Sequence, residues 1–418
     1  MTGSTSNQRI DGRRLWATLM TMAEIGATAK GGVRRVALSD VDKAGRAQFR
    51  SWCESAGLSV RTDEMGNIFA RREGRDPSQA PVLFGSHLDS QPNGGKFDGA
   101  LGVIAGLEVM RTLQDLGIET DSPVELVNWT DEEGARFGKA MMGSGVWAGA
   151  FSQGETEALR DETGISLGEA LDSIGARGEA PARHFAADSY FELHIEQGPI
   201  LEREGKTIGV VTGGQAQIWY DVVVIGQDSH AGTTPPEARR DALVGAARII
   251  ELVDRTMRAR GELGRGTVGQ LSVLPNSRNV IPGEVRCSVE FRHPDECELD
   301  RLAVEFRHDA GVVAAELKLE LNLMEKVRIR AQPFDPACVA LVRDAAAHLG
   351  YSSRDMVSGA GHDAIFIAPV IPSAMIFVPC QDGLSHNEAE SITPADAEAG
   401  CQLLLAVVLA RACAVSRR

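Results

Sequence analysis

Three histidines in this sequence stand where an imidazole could work together with carboxylates. The first is His87, in the stretch GSHLDSQPNGGKFDGALG from Gly85 to Gly102, with Asp89 and Asp98 beside it. The second is His194, in YFELHIEQGP, followed by Glu196 and Gln197. The third is His386, in GLSHNE, and a further acidic group, TDEEG, supplies Glu132 and Glu133. Imidazole and carboxylate oxygens together suit a borderline divalent cation. Two such sites sharing one carboxylate would form a two-metal centre able to hold and polarise a hydrolytic water. A spare glutamate next to a liganding one would then serve as general base.

Each fragment alone is weak. A His-x-Asp pair is more often a surface histidine bonded to its neighbour, and TDEEG reads equally as a solvated acidic turn. His194, alternating with Phe191 and Leu193, also fits a half-buried structural histidine. The shared setting outweighs this, because each group follows an apolar, strand-like run: Val82–Phe84, Pro123–Trp129, Tyr190 onward and Ser373–Val378. Open α/β sheets bind ligands outside the carboxyl ends of their strands.

The intervening pattern supplies the elements that would position these groups. Apolar spacing predicts helices over 12–27, 47–56 and from about 99 to 117, with strands at 58–62, 67–71 and 81–85. The glycine-punctuated stretch 152–187 reads as a helix with connecting loops. Rhythm changes after Thr212-Gly-Gly, where strands and helices follow in the order β-α-β-β-α-β of a ferredoxin-like split unit, with a charged helix around 300–308. The expected organisation is a catalytic α/β domain of residues 1–212 and 328–418, interrupted by a compact domain over 213–327. A helix at 337–348 and a terminal helix begun by Thr393-Pro394 complete it.

The 418 residues suit two cores rather than one. A formal charge of −15 argues against nucleic acid or an anionic membrane as partner. The polar N-terminus, MTGSTSNQRIDGRR, lacks the apolar core of a signal peptide, and no apolar run is long enough to span a bilayer. Seven dispersed cysteines without CxxC spacing read as reduced structural thiols, so a cytoplasmic location is expected.

The motifs GSHLDSQPNGGKFDGALGV, WTDEEGARF, MMGSG, FELHIEQGP, DSHAGTTP, NVIPGEV, GAGHDA and GLSHNEAE occur in this order from about residue 15 to the C-terminus. As a set the chain resembles the amidase/hydantoinase/carbamoylase branch of the aminoacylase-like di-metal peptidase superfamily. The resemblance implies a di-metal peptidase-like α/β catalytic domain with an inserted ferredoxin-like α+β lid and dimerisation domain. It implies His87 and His194 on one metal, Glu133 and His386 on the other, and Asp98 bridging, with zinc, manganese, cobalt or nickel as the ions. Glu132 would be the general base, with Asp89 orienting His87. Gln197 would bond the ureido group, Arg292 and Asn279 the substrate carboxylate, and His230 the developing oxyanion. On residue type alone, His230 is a turn residue, Arg292 a surface cation and Asn279 a cap. His362 and Asp363 of GAGHDA are expected to shape the site, with no ligand role.

The activity so implied is hydrolysis of the carbamoyl (ureido) C–N bond of N-carbamoyl-L-amino acids or N-carbamoyl-β-alanine, in a homodimer joined through the inserted domain. The alternatives are an allantoate or ureidoglycolate amidohydrolase and a di-metal fold reduced to a binding module. A peptidase is weaker, since His194 stands where many peptidase relatives carry an acid.

Overall fold

A computed structural model describes residues 8–413 and divides them into two compact units, one ending at Gly213 and resuming at Pro333, the other spanning Gly214–Gln332. The first seven residues of the polar N-terminal stretch lie outside the described residues.

The first unit is built on strands that bury both faces. Val82–His87, Val124–Trp129, Ser189–Ile195 and Ser373–Val378 are buried at every position, the pattern of parallel strands covered on both sides by helices. They lie side by side, with Val82–His87 parallel to Val124–Trp129 on one flank and to Ser189–Ile195 on the other. Ser373–Val378 pairs in parallel with Ser189–Ile195. All four therefore end on one edge of the sheet. Antiparallel strands extend the flanks: Ile68–Arg72 and Ser59–Thr62 beyond Val124–Trp129, and Ile208–Gly214 beyond Ser373–Val378.

Helix Ala100–Asp115 follows the loop after His87 and is buried on almost every side, packed against the sheet and against helices Gly12–Glu24 and Pro394–Ala412. The terminal helix starts as its sequence predicts, with Thr393 capping Asp396 and Pro394 in the first turn. No helix among the described residues is long and apolar enough to cross a membrane.

The second unit is an antiparallel sheet in the order Leu271–Leu274, Glu284–His293, Ala216–Ile225, Glu320–Ile329, with Arg265–Thr267 also pairing Glu284–His293. Ile218, Tyr220, Val222 and Val224 alternate onto one face and bury against helices Ala242–Ala259 and Glu296–Glu316. The final strand runs to Ile329, so an edge at 327 would cut through it.

Several elements differ from their predicted extent. The helix expected from 47 begins at Asp40, because Ser39 caps it through the Asp42 amide. The charged helix expected around 300–308 spans Glu296–Glu316. Met142–Trp147, Ile208–Gly214, Ser353–Ser358 and Asp363–Ile367 were not anticipated. They are short or interrupted by glycine, which leaves little periodicity to read.

Candidate metal centre

The shared edge gathers the candidate ligands. His87 closes its strand, His194 is the penultimate residue of its own, and Glu132 and Glu133 follow Trp129 by three and four positions. His386 lies beyond a short 3-10 turn after Ser373–Val378. Buried Arg46 secures the acidic loop: it donates to Asp42, to the Gly66 carbonyl and to the Thr130 hydroxyl, while the Thr130 amide donates to Asn67.

Two backbone carbonyls set the imidazoles. His87 Nδ1 lies 3.0 Å from the Asp89 carbonyl, and His194 Nδ1 lies 2.9 Å from the Ile195 carbonyl. A carbonyl only accepts, so each Nδ1 carries a hydrogen, and in the neutral imidazole the Nε2 lone pair faces inward, that of His194 also accepting from the Gly99 amide at 3.1 Å. Both aim at Asp98 Oδ1, His87 Nε2 from 3.6 Å and His194 Nε2 from 3.2 Å. On the other arm of Asp98, His386 Nε2 stands 3.5 Å from Oδ2 and 3.2 Å from Glu133 Oε2. His87, Asp98 and His194 thus form one group that could hold a metal ion, and Asp98, Glu133 and His386 another.

The donor sets fit such an ion. His87 Nε2 is buried and has no hydrogen-bond partner among the described residues, although Asp98 and Glu132 both face it. Lone pairs converging on carboxylate oxygens need positive charge between them, and mixed nitrogen and oxygen donors suit a borderline divalent cation. The titration of the groups expresses the same demand. Burial opposes charge on His87, but Glu132, Asp98 and Asp89 together hold its pKa well above the usual imidazole range. Burial acts against Asp98 as well, yet His194 and His87 hold it well below the usual carboxylate range. Glu132 is pushed well above that range, by burial first and by nearby acids after it. Its Oε2 is 3.4 Å from His87 Nε2.

Asp89 meets His87 mainly through its backbone. Its carboxylate stands 3.8 Å from His87 Nδ1, and its backbone carbonyl accepts from that nitrogen. The carboxylate instead accepts from the amides of Glu132 and Glu133, which places it under the acidic loop. Gln197 points into the cluster, donating 2.8 Å to Asp98 Oδ2, while its Oε1 is buried without a partner.

His230, Asn279 and Arg292 belong to the second unit. His230 and Asn279 adjoin across the pairing of Ser229–His230 with Val280–Ile281, where the Ala231 amide donates to the Asn279 carbonyl. His230 Nδ1 accepts from the amides of Gly232 and Thr233, so its neutral tautomer carries the hydrogen on Nε2. Arg292 is held through Nε by Glu290 on the same strand. His362 and Asp363 sit behind the centre: the His362 ring lies 4.5 Å from that of His194, and Ser144 donates to Asp363.

Sequence reasoning missed a ring of supporting residues. Gln91 donates to Glu133 from both its amide and its side chain. Ser385 donates to Asp98 Oδ2, and buried Glu390 accepts from the amides of Phe97 and Asp98. Burial pushes Glu390 up to about 7. The one available signal was Ser385 and Glu390 flanking His386 inside GLSHNEAE.

A parallel-edged α/β sheet carrying adjacent histidine–carboxylate clusters is the arrangement of a metal-dependent hydrolase. The chain belongs to the peptidase family M20/M25/M40, whose model matches residues 83–410 and whose peptidases are metal-dependent. Among curated relatives, an N-carbamoyl-L-amino-acid amidohydrolase of Rhizobium meliloti is 46% identical over 409 residues, covering 98% of each chain. An allantoate amidohydrolase of Bacillus subtilis is 35% identical over 386 residues, covering 92% of this chain and 93% of that protein. The crystal structure of an amidase of the hydantoinase/carbamoylase family from Burkholderia multivorans superposes with a TM-score of 0.93. It is 52% identical, over 97% of this chain and 98% of that one.

Proposed function

We propose that this chain is a metal-dependent amidohydrolase that cleaves the ureido C–N bond of N-carbamoyl-L-amino acids, releasing the amino acid, carbon dioxide and ammonia. The observation that carries the proposal is the pair of histidine–carboxylate clusters joined through Asp98, with Glu132 against His87. Similarity over nearly the full length to an N-carbamoyl-L-amino-acid amidohydrolase supports this substrate class. The lower identity to the allantoate enzyme puts allantoate second.

In this reading His87, His194 and Asp98 hold one divalent ion, and Asp98, Glu133 and His386 a second, drawn from zinc, manganese, cobalt or nickel. Bound ions supply Lewis-acid polarisation and make water acidic near neutral pH. Glu132 takes the proton from the attacking water and delivers it to the leaving nitrogen, a task suited to a carboxyl whose pKa burial has raised. Gln197 Oε1 accepts a ureido N–H, which would give that buried acceptor the partner it lacks. His230 Nε2–H donates to the oxyanion, and its two amide bonds hold the ring in the tautomer this needs. Arg292, with Asn279, binds the substrate carboxylate through its planar fork. The 214–332 unit acts as lid and as the joint of a homodimer working in the cytoplasm, where cysteines stay reduced.

The test is ammonia release from N-carbamoyl-L-amino acids, N-carbamoyl-β-alanine and allantoate with Glu132→Gln beside the parent chain. The variant should keep its metal and lose turnover by at least about a hundredfold, the lower range of general-base contributions. Turnover near the parent value in a metal-loaded variant would remove Glu132 from that role.

A further inference from the structure

Among the described residues Asp98 is the side chain common to both clusters, and its two oxygens have separate tasks. Oδ1 faces His87 and His194, while Oδ2 faces His386. Two groups fix the Oδ2 arm: Ser385 Oγ donates to it at 2.7 Å and Gln197 Nε2 at 2.8 Å. Ser385 and His386 are neighbours, so this arm depends on how the chain carrying His386 sits against the chain carrying Asp98.

Nothing in the local sequence joins those segments, which are nearly 300 residues apart. The join is Glu390. Its Oε1 accepts the Phe97 amide at 2.9 Å and the Asp98 amide at 3.1 Å, and its Oε2 lies 3.3 Å from Ser385 Oγ. It is 3% exposed, so no water competes for these bonds. Space for it exists because residue 95 is glycine: a Cβ there would lie 2.0 Å from the Glu390 carboxylate.

We propose that Glu390 is a positioning residue that ties the His386 segment to the Asp98 loop and so holds the Oδ2 arm in place for the Asp98–Glu133–His386 site. The inference rests on the two-ion reading above. Glu390 touches neither ligand side chain, and its effect on metal binding passes through backbone and Ser385. Loss of the tie weakens the second site more than the first, which shares Asp98 but has both of its imidazoles set by the backbone carbonyls at 89 and 195.

The test is equilibrium dialysis of the full chain against manganese, with bound metal measured by plasma mass spectrometry, for the parent, Glu390→Ala, Glu390→Gln and Gly95→Ala. Hydrogen exchange at Phe97 and Asp98 in metal-free protein gives a readout independent of any ion. In Glu390→Ala and Gly95→Ala, the second ion should bind about 10- to 100-fold more weakly, the range typical of outer partners of metal ligands, with the first within threefold of the parent. Exchange at the two amides should rise by at least tenfold. Glu390→Gln keeps an amide-accepting oxygen and should restore the second ion to within a few-fold. Equal weakening of both ions, or parent-like binding of both in Glu390→Ala, would overturn the assignment, as would Glu390→Gln behaving like alanine. A parent chain that binds fewer than two ions would instead sink the two-ion reading itself.

Discussion

Replacing Gly99 by alanine is the sharpest perturbation of the centre that leaves every candidate ligand in place. Gly99 follows Asp98 and has φ +63° with ψ −48°, a backbone that L side chains rarely adopt and that costs about 1–3 kcal/mol. A second penalty is steric. A Cβ at this position would lie 2.3 Å from His87 Cε1 and 2.4 Å from His87 Nε2. Carbon atoms in contact prefer about 3.5–4.0 Å, so the ring must retreat by more than about 1 Å. It cannot do so and keep Nδ1 on the Asp89 carbonyl and Nε2 beside Asp98 and Glu132. A displacement of that size typically costs about a hundredfold in rate. Gly117→Ala gauges the cost of a positive φ without the clash, since Gly117 has φ +60° and a Cβ there would meet nothing within 4 Å. Ammonia release against manganese concentration, with thermal unfolding in parallel, distinguishes them. Both variants should unfold at lower temperature, and only Gly99→Ala should lose about a hundredfold in kcat/KM and require more metal. Parent-like metal dependence and turnover in Gly99→Ala would refute the claim that the loop packs against His87 to set the centre.

Chelation with excess EDTA followed by desalting should abolish ammonia release, and zinc, manganese, cobalt or nickel should restore it; full activity with no metal detectable by mass spectrometry would remove the ions from the reaction. Burial raises Asp63 to about 6, above the value near 3.9 of an unfolded chain, so the folded state holds a proton that the unfolded state releases. Its stabilising effect is therefore complete below about pH 4 and lost as pH rises through 6, by about 3 kcal/mol. Urea unfolding of the parent relative to Asp63→Asn, which carries no charge at either pH, should show that loss between pH 4 and 7, and a constant difference would contradict it. Cys53, Cys338 and Cys380 are buried with thiols pushed up to about 12, whereas Cys297 is exposed. Ellman's reagent at pH 8 should modify Cys297 in the folded protein well before those three, and early modification of Cys53 would show the core is open there.

The features legible in the sequence were those carried by short-range pattern. Val82–Phe84 and Ser373–Val378 announce buried strands by composition alone, and the residues just after them had to fall at strand ends. Gathering His87, Glu132, Glu133, His194 and His386 then needed only that the four strands be parallel and adjacent, which their uniform burial favours. The individual roles were another matter, and came from resemblance. Support between distant segments was not legible at all. The Asp89 carboxylate serves the amides at 132 and 133, and Glu390 serves those at 97 and 98, because of where loops turn in space. No periodicity records such reach. The second unit was legible as a β-α-β-β-α-β order, yet its long helix Glu296–Glu316 was seen only in part, since charged residues interrupt its apolar face.

Local rules give way where the candidate ligands converge. Asp131, Gln197 and His386 adopt φ of 53°, 56° and 54°, a region where non-glycine residues cost about 1–3 kcal/mol each. Each adjoins or belongs to a candidate metal or substrate group; Asp131 and Gln197 stand two residues past a strand end, and His386 lies beyond the 3-10 turn that follows Ser373–Val378. Asp131 also buries a carboxylate whose two oxygens lack hydrogen-bond partners among the described residues, and burial together with Asp89 and Asp42 raises its pKa well above the usual range. A loop free to relax would shed that strain by turning Asp131 outward. It is held by the Thr130 anchorage to Arg46 and Asn67 on one side and by amide bonds to the Asp89 carboxylate on the other. The strain is therefore local and is offset by the buried sheet, whose rigidity holds the three sharp turns that carry or flank the candidate groups.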